Sequence, residues 1–217
     1  MTVTASDIAK LRFQTGAGMM DCKAALEEAG GDMNMAADIL RKKGVLKAAK
    51  RADKVAAEGI VASYIHGGGK SGVLVEVNCE TDFVAKTDSF KALVNDIAMH
   101  VAASAPRYVA RAEVPADVIE REKNVYCGQL KEESKPEAMM EKIVEGKLNR
   151  FYSEVCLLEQ PFIKDEDKTI EQLLQGKTGE IGEKITVRRF VRYELGDGIE
   201  KEAVDFAAEV MGQVGTA

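Results

Sequence analysis

The apolar positions change period along the chain. Over the first 45 residues they recur three and four apart. Ile8 and Leu11 fall on one helical face, Met19, Cys22 and Leu26 on a second, and Met35, Ile39 and Leu40 on a third. Thr4 and Asp32 stand where N-caps belong. Thr15-Gly16-Ala17-Gly18, Gly30-Gly31 and Gly44 stand where helices stop. From Gly59 the period becomes two. Ile60 to Ile65 reads as a strand, Gly67 to Gly72 as a glycine-rich turn, and Val73 to Asn78 as the return strand, with Val73, Val75 and Val77 on one face. The helical period then returns: Phe90, Leu93, Val94, Ile97, Ala98 and Val101 form one stripe.

Beyond Pro106 and Pro115 the pattern predicts helices from Ala116 to Ser134 and from Pro136 to Glu154. Leu157 to Gln175 reads as irregular, with a short helix from Thr169. Ile185 to Tyr193 reads as a third strand, and Glu200 to Met211 as a last helix. The expected fold is α+β: an N-terminal three-helix module of the ubiquitin-associated type, then an antiparallel-sheet core packed with helices, and a C-terminal helix. The expected divisions are 1–46 for the module, 47–56 for a linker, 57–197 for the core and 198–217 for a C-terminal helical module.

Composition narrows the function. The chain has 217 residues, charged residues make up 30% of it, and its net charge is −6. That balance argues against nucleic acid as a direct partner, because neutralising phosphates needs a basic surface. Seven of the fourteen residues from Arg41 to Lys54 are Lys or Arg, but no aromatics are interleaved for base stacking. The stretch reads as a solvated, partly helical linker, with a charged contact to a partner as the alternative. No apolar run approaches the ~20 residues of a membrane span, and the N-terminus has no secretory pattern. The four cysteines are widely spaced and form no CxxC, so neither a zinc site nor a disulfide framework is expected. A cytoplasmic protein without a membrane partner, metal or cofactor is the expectation.

Two segments imitate the end of a phosphate-binding loop, Gly69-Lys70-Ser71 and Gly176-Lys177-Thr178. The earlier glycine of the motif is replaced by Tyr64 and Glu171, and the strand-loop-helix context is missing. His66 sits at the hairpin tip without a companion ligand, and His100 lies near the apolar stripe as a structural histidine. No catalytic constellation is apparent, and no enzyme is expected.

One segment does not read as core. In Asn78-Cys79-Glu80-Thr81-Asp82-Phe83-Val84-Ala85-Lys86, two apolar residues follow a polar run at a strand-to-helix junction. Either Thr81 or Asp82 caps a turn and Phe83 tucks beneath it, or the turn presents Phe83 outward. Burying such a ring in a partner's pocket offers ~1.5–3 kcal/mol.

This segment, with Glu76 and Val77 before it, resembles the second signature of the elongation factor Ts family. Leu11-Arg12-Phe13-Gln14-Thr15-Gly16-Ala17-Gly18-Met19-Met20-Asp21-Cys22-Lys23-Ala24-Ala25-Leu26 resembles the first. Further similarity runs through Ile97 to Ser104, Leu158 to Phe162 and Asp205 to Val210, so the resemblance covers nearly the whole chain. It implies a guanine-nucleotide exchange factor for elongation factor Tu, binding its GDP-bound and nucleotide-free forms. It implies that Thr81, Asp82, Phe83 and Val84 form a wedge that enters between two helices of the partner and disturbs its Mg²⁺ site. Met19, Met20, Lys23 and His66 are implied as further partner contacts, and the final helix as another. Rival readings are an adaptor acting through the three-helix module and an NTPase depending on Lys70. Longer family members carry two related strand-and-helix units, and this chain carries one. A homodimer that rebuilds the core is therefore expected.

Overall fold

The computed structural model describes residues 3–133 and 136–199. The expected last helix and most of the expected C-terminal module lie outside them. Three helices open the chain: α1 (Ala5–Thr15), α2 (Met19–Glu28) and α3 (Met33–Lys50). Thr4 and Asp7 form a reciprocal capping box on α1, and the Asp32 carboxylate accepts from Met35 N at 2.8 Å at the start of α3. Leu11, Cys22, Ala25, Leu26, Ala36 and Leu40 form their core. Met19 and Met35, expected on inner faces, are exposed; the small side chains of Ala25 and Ala36 fill the interior instead.

The third helix does not stop at Gly44. It runs on to Lys50 because the following Leu, Lys and Ala residues favour helix and Gly44 keeps a right-handed backbone. The glycine serves close approach. A Cβ on Gly179 of a later helix would stand 2.7 Å from the Gly44 Cα, so the two backbones touch where two side chains could not fit.

The hairpin β1 (Glu58–His66) and β2 (Ser71–Cys79) turns through Gly67, Gly68 and Gly69, all left-handed. Next come α4 (Asp82–Ala85), α5 (Asp88–Ser104), α6 (Ala116–Glu132) and α7 (Glu137–Val155). Then β3 (Pro161–Phe162) pairs with β4 (Asp165–Thr169), and α8 (Ile170–Ile181) leads to β5 (Thr186–Glu194). The main sheet is antiparallel in the order β1-β2-β5. The fold is therefore α+β, as the pattern predicted.

The inner face of the sheet and the stripe of α5 make the main core. Val73, Val75 and Val77 meet Phe90, Leu93, Val94, Ile97, Ala98 and Val101, and all are buried. Leu157, Phe162, Ile170 and Leu174 close it from the side of α8. Each such side chain contributes on the order of 1.5–3 kcal/mol by leaving water. The α6–α7 hairpin has smaller clusters of its own, including Leu130, Val144 and Leu148.

The stretch from Leu157 is more ordered than expected. A 3₁₀ turn (Leu157–Glu159) precedes the small hairpin, and the helix from the Thr169 cap lasts 12 residues. Its strand β4, Asp-Glu-Asp-Lys-Thr, has no apolar alternation to reveal it. The second phosphate-loop imitation, Gly176-Lys177-Thr178, lies inside α8, where helix bonding engages its N–H groups. His100 is fully buried, with Nε2 3.0 Å from Gln160 Oε1 and Nδ1 accepting from Ile163 N at 3.4 Å. It is a satisfied structural histidine.

Candidate functional site

The junction between β2 and α5 is built from its base upward. Cys79 ends the strand buried, and its thiol donates to the Thr81 carbonyl at 3.2 Å. Burial pushes that thiol above the usual cysteine range. Glu80 accepts from the Lys184 N–H at 2.7 Å and from the Arg51 guanidinium at 2.8 and 2.9 Å. The Lys184 amide, and then Arg51, hold the Glu80 carboxyl below the usual range.

Thr81 caps the four-residue helix α4 by accepting from Val84 N at 3.4 Å. Thr87 closes its other end. The Thr87 hydroxyl donates to the Val84 carbonyl at 2.8 Å and accepts from Phe90 N at 3.3 Å, which starts α5. Between these caps Ala85 is buried and Val84 packs against the core, while Phe83 is 79% exposed. The ring does not tuck beneath its cap. Asp82 faces outward and pairs with Lys86 at 2.6 Å, which lowers the Asp82 carboxyl below the usual range.

The other expected contact residues lie elsewhere. His66 is at the hairpin tip, exposed, with Tyr64 Oη 3.2 Å from its Nδ1 and the two rings stacked at 5.9 Å. Glu58 pairs with Cys79 and His66 with Ser71. Eight residues at ~3.3 Å each therefore place the tip roughly 26 Å along the sheet from the base of the Phe83 turn. Met19 and Met20 are exposed in the first turn of α2, and Lys23 pairs loosely with Glu27 at 3.8 Å. The structure thus places three exposed patches on one chain: the Phe83 turn, the hairpin tip and the start of α2.

Sequence reading singles out neither of two other exposed aromatics, Phe13 and Tyr193. Phe13 is 93% exposed, near the end of α1. Its signal was available: it falls off the Ile8–Leu11 stripe, on a face otherwise polar. Among the described residues no group of three or more His, Cys, Asp or Glu is placed to hold a metal ion. No helix among them is long and apolar enough to cross a membrane.

The chain is similar throughout its length to known proteins. A family model described as Elongation factor TS matches residues 33–197. An elongation factor Ts of Geobacter metallireducens is 58% identical over 215 residues, covering 99% of this chain and 100% of that protein. One from Desulforamulus reducens is 59% identical over 212 residues, covering 98% of each. One from Acetivibrio thermocellus is 58% identical over 212 residues, covering 98% of this chain and 99% of that protein.

Proposed function

The chain belongs to the elongation factor Ts family, and from that premise we propose that it releases GDP from elongation factor Tu by inserting the Thr81-Asp82-Phe83-Val84 turn. The family membership carries the general role, nucleotide exchange on elongation factor Tu in translation elongation. The wedge is the finer step, and one observation supports it. Phe83 is 79% exposed on a short helix capped at both ends and tied to a buried base. A large ring held outward on a rigid turn costs solubility in the free protein and loses little entropy on binding.

In this reading Phe83 enters an apolar gap between two helices of the partner. Asp82 exchanges Lys86 for polar groups there, and Thr81 and Val84 frame the turn. The displaced helices no longer hold the partner's Mg²⁺ well, so the diphosphate loosens. The factor itself makes and breaks no bond and carries no cofactor. Its effect is reciprocal: whatever ratio it removes from GDP affinity, GDP removes from its own. Excess GTP in the cytoplasm sets the direction.

Phe13, Met19, Met20 and Lys23, on module 1–46, and His66, on core 57–197, supply the grip. Residues 47–56 link the two, and residues 198–217 add a further contact. The core pairs with a second copy of the chain. The outer sheet face supports this, since Val61, Ile65, Leu74, Val191 and Tyr193 lie exposed across three adjacent strands.

Elongation factor Tu loaded with fluorescent GDP tests the wedge. The wild-type chain accelerates release against excess GTP, and Phe83→Ala slows it by about tenfold or more, as expected for a buried aromatic anchor. Equal acceleration by both proteins removes the wedge and leaves the exchange role. No acceleration by either removes the exchange role as well.

A further inference from the structure

The Phe83 turn is held by a residue about a hundred positions away. Gly182 ends α8 in a left-handed turn, with its N–H on the Thr178 carbonyl at 2.9 Å. The next residue, Glu183, is thereby brought back to the base of α4. Its two carboxylate oxygens take both hydrogens that Thr81 has to give, from the amide at 3.0 Å and from the hydroxyl at 2.7 Å. The neighbouring pair repeats the arrangement one residue earlier. Glu80 receives the Lys184 N–H and the Arg51 guanidinium, and Lys184 Nζ reaches the carbonyls of Ala52 and Lys54 at 2.6 and 3.0 Å.

A hydroxyl has one hydrogen and two lone pairs. With the Thr81 hydrogen committed to Glu183, a lone pair is left toward Val84 N–H, which is the capping bond of α4. A four-residue helix has no stability of its own. Phe83 has little packing within its chain to fix it, so its direction follows from that helix alone.

We infer that Glu183 is a positioning residue for nucleotide exchange: it acts through the Thr81 cap to hold Phe83 in its outward orientation. This rests on the wedge reading above. Both bonds from Thr81 are charge-assisted, and losing one leaves α4 with a weaker start.

The test uses the full chain with Glu183→Gln and Glu183→Ala, each also combined with Phe83→Ala. Two quantities are read: amide hydrogen exchange across residues 80–87 of the free protein, and the second-order rate constant of GDP release from elongation factor Tu. Glu183→Gln is expected to speed exchange in that segment. It is also expected to slow release by about fivefold, the net size of one ordinary hydrogen bond. Glu183→Ala slows release by about tenfold on the same basis. With Phe83→Ala already present, neither substitution has a further effect, because a residue acting only through Phe83 is non-additive with its loss.

Unchanged hydrogen exchange overturns the inference. So does a slowing that persists at full size in the Phe83→Ala background, which marks general loosening of the fold. If Phe83→Ala slows release and the Glu183 variants do not, the wedge stands and the positioning role falls. If Phe83→Ala matches wild type, both fall.

Discussion

Phe83 and Ala85 lie two residues apart in the same four-residue helix, and one ring is 79% exposed while the neighbouring methyl is 7% exposed. The helix is therefore a bracket. Its inner side seals the end of the main core, and its outer side carries a large apolar group into water.

That division separates function from stability. Phe83→Ala removes little buried area, and its unfolding free energy is expected to stay within about 0.5 kcal/mol of wild type. Phe90, seven residues on and fully buried, is the internal control. Phe90→Ala is expected to cost about 3–5 kcal/mol. Urea denaturation of both variants checks this. A large loss for Phe83→Ala would mean that the ring packs at home after all.

His100 gives a pH dependence. Burial lowers its pKa below the ordinary 6.5, and the hydrogen bond with Gln160 opposes this without reversing it. The unfolded chain therefore binds a proton that the folded chain resists. Stability is full above about pH 6.5 and falls as pH drops below that value toward the depressed folded pKa. The protonated ring would also set an Nδ1–H against the Ile163 N–H that now donates to it. Urea midpoints measured from pH 7.5 to 5.0, above most carboxylate titration, are expected to decline for wild type. His100→Gln is expected to flatten that decline. A wild-type profile with no slope there contradicts the assignment.

Periodicity revealed what repeats. The α5 stripe and the Val73, Val75, Val77 face were legible because every member of each set is buried at a regular spacing. The caps Thr4 and Asp32 were legible because capping is local. Contacts between distant positions carry no period. Nothing near Thr81 announces Glu183, and nothing near Glu80 announces Arg51. Gly44 misled because a glycine at a helix stop and a glycine at a close crossing look alike in one dimension. The exposure of Phe83 was undecided in the sequence, since a capped turn can tuck its aromatic or present it.

The crossing at Gly44 and Gly179 predicts a substitution with opposed effects. Gly179→Ala improves helix propensity by about 1 kcal/mol. Its new methyl, however, would stand 2.7 Å from the Gly44 Cα, inside contact distance. The expected result is a core at least as resistant to urea, with α3 pushed off α8. Small-angle scattering is expected to show a larger radius of gyration. An unchanged radius would mean that the backbones shift enough to admit the methyl without separating.

The outer sheet face predicts an association that can be broken without touching the core. Leu74 is 50% exposed and stands between Ser63 and Val191 in register, while Gly72 stands between Ile65 and Tyr193. The apolar side chains thus form a band across β1, β2 and β5, on the side opposite α5. A two-fold axis through such a band would place each strand set against its own copy, the self-complementary arrangement of most homodimers. Leu74→Asp puts a carboxylate at the centre of that band, and burying it unpaired costs several kcal/mol. Sedimentation equilibrium is expected to find wild-type dimers at micromolar concentration. The variant's dissociation constant is expected to rise at least about 100-fold, or nearly 3 kcal/mol. Its thermal unfolding at high dilution should match that of wild-type monomers, because Leu74 is not part of the main core. Wild-type chains that remain single at micromolar concentration would refute the pairing. A variant that dimerises as tightly as wild type would move the interface off this face.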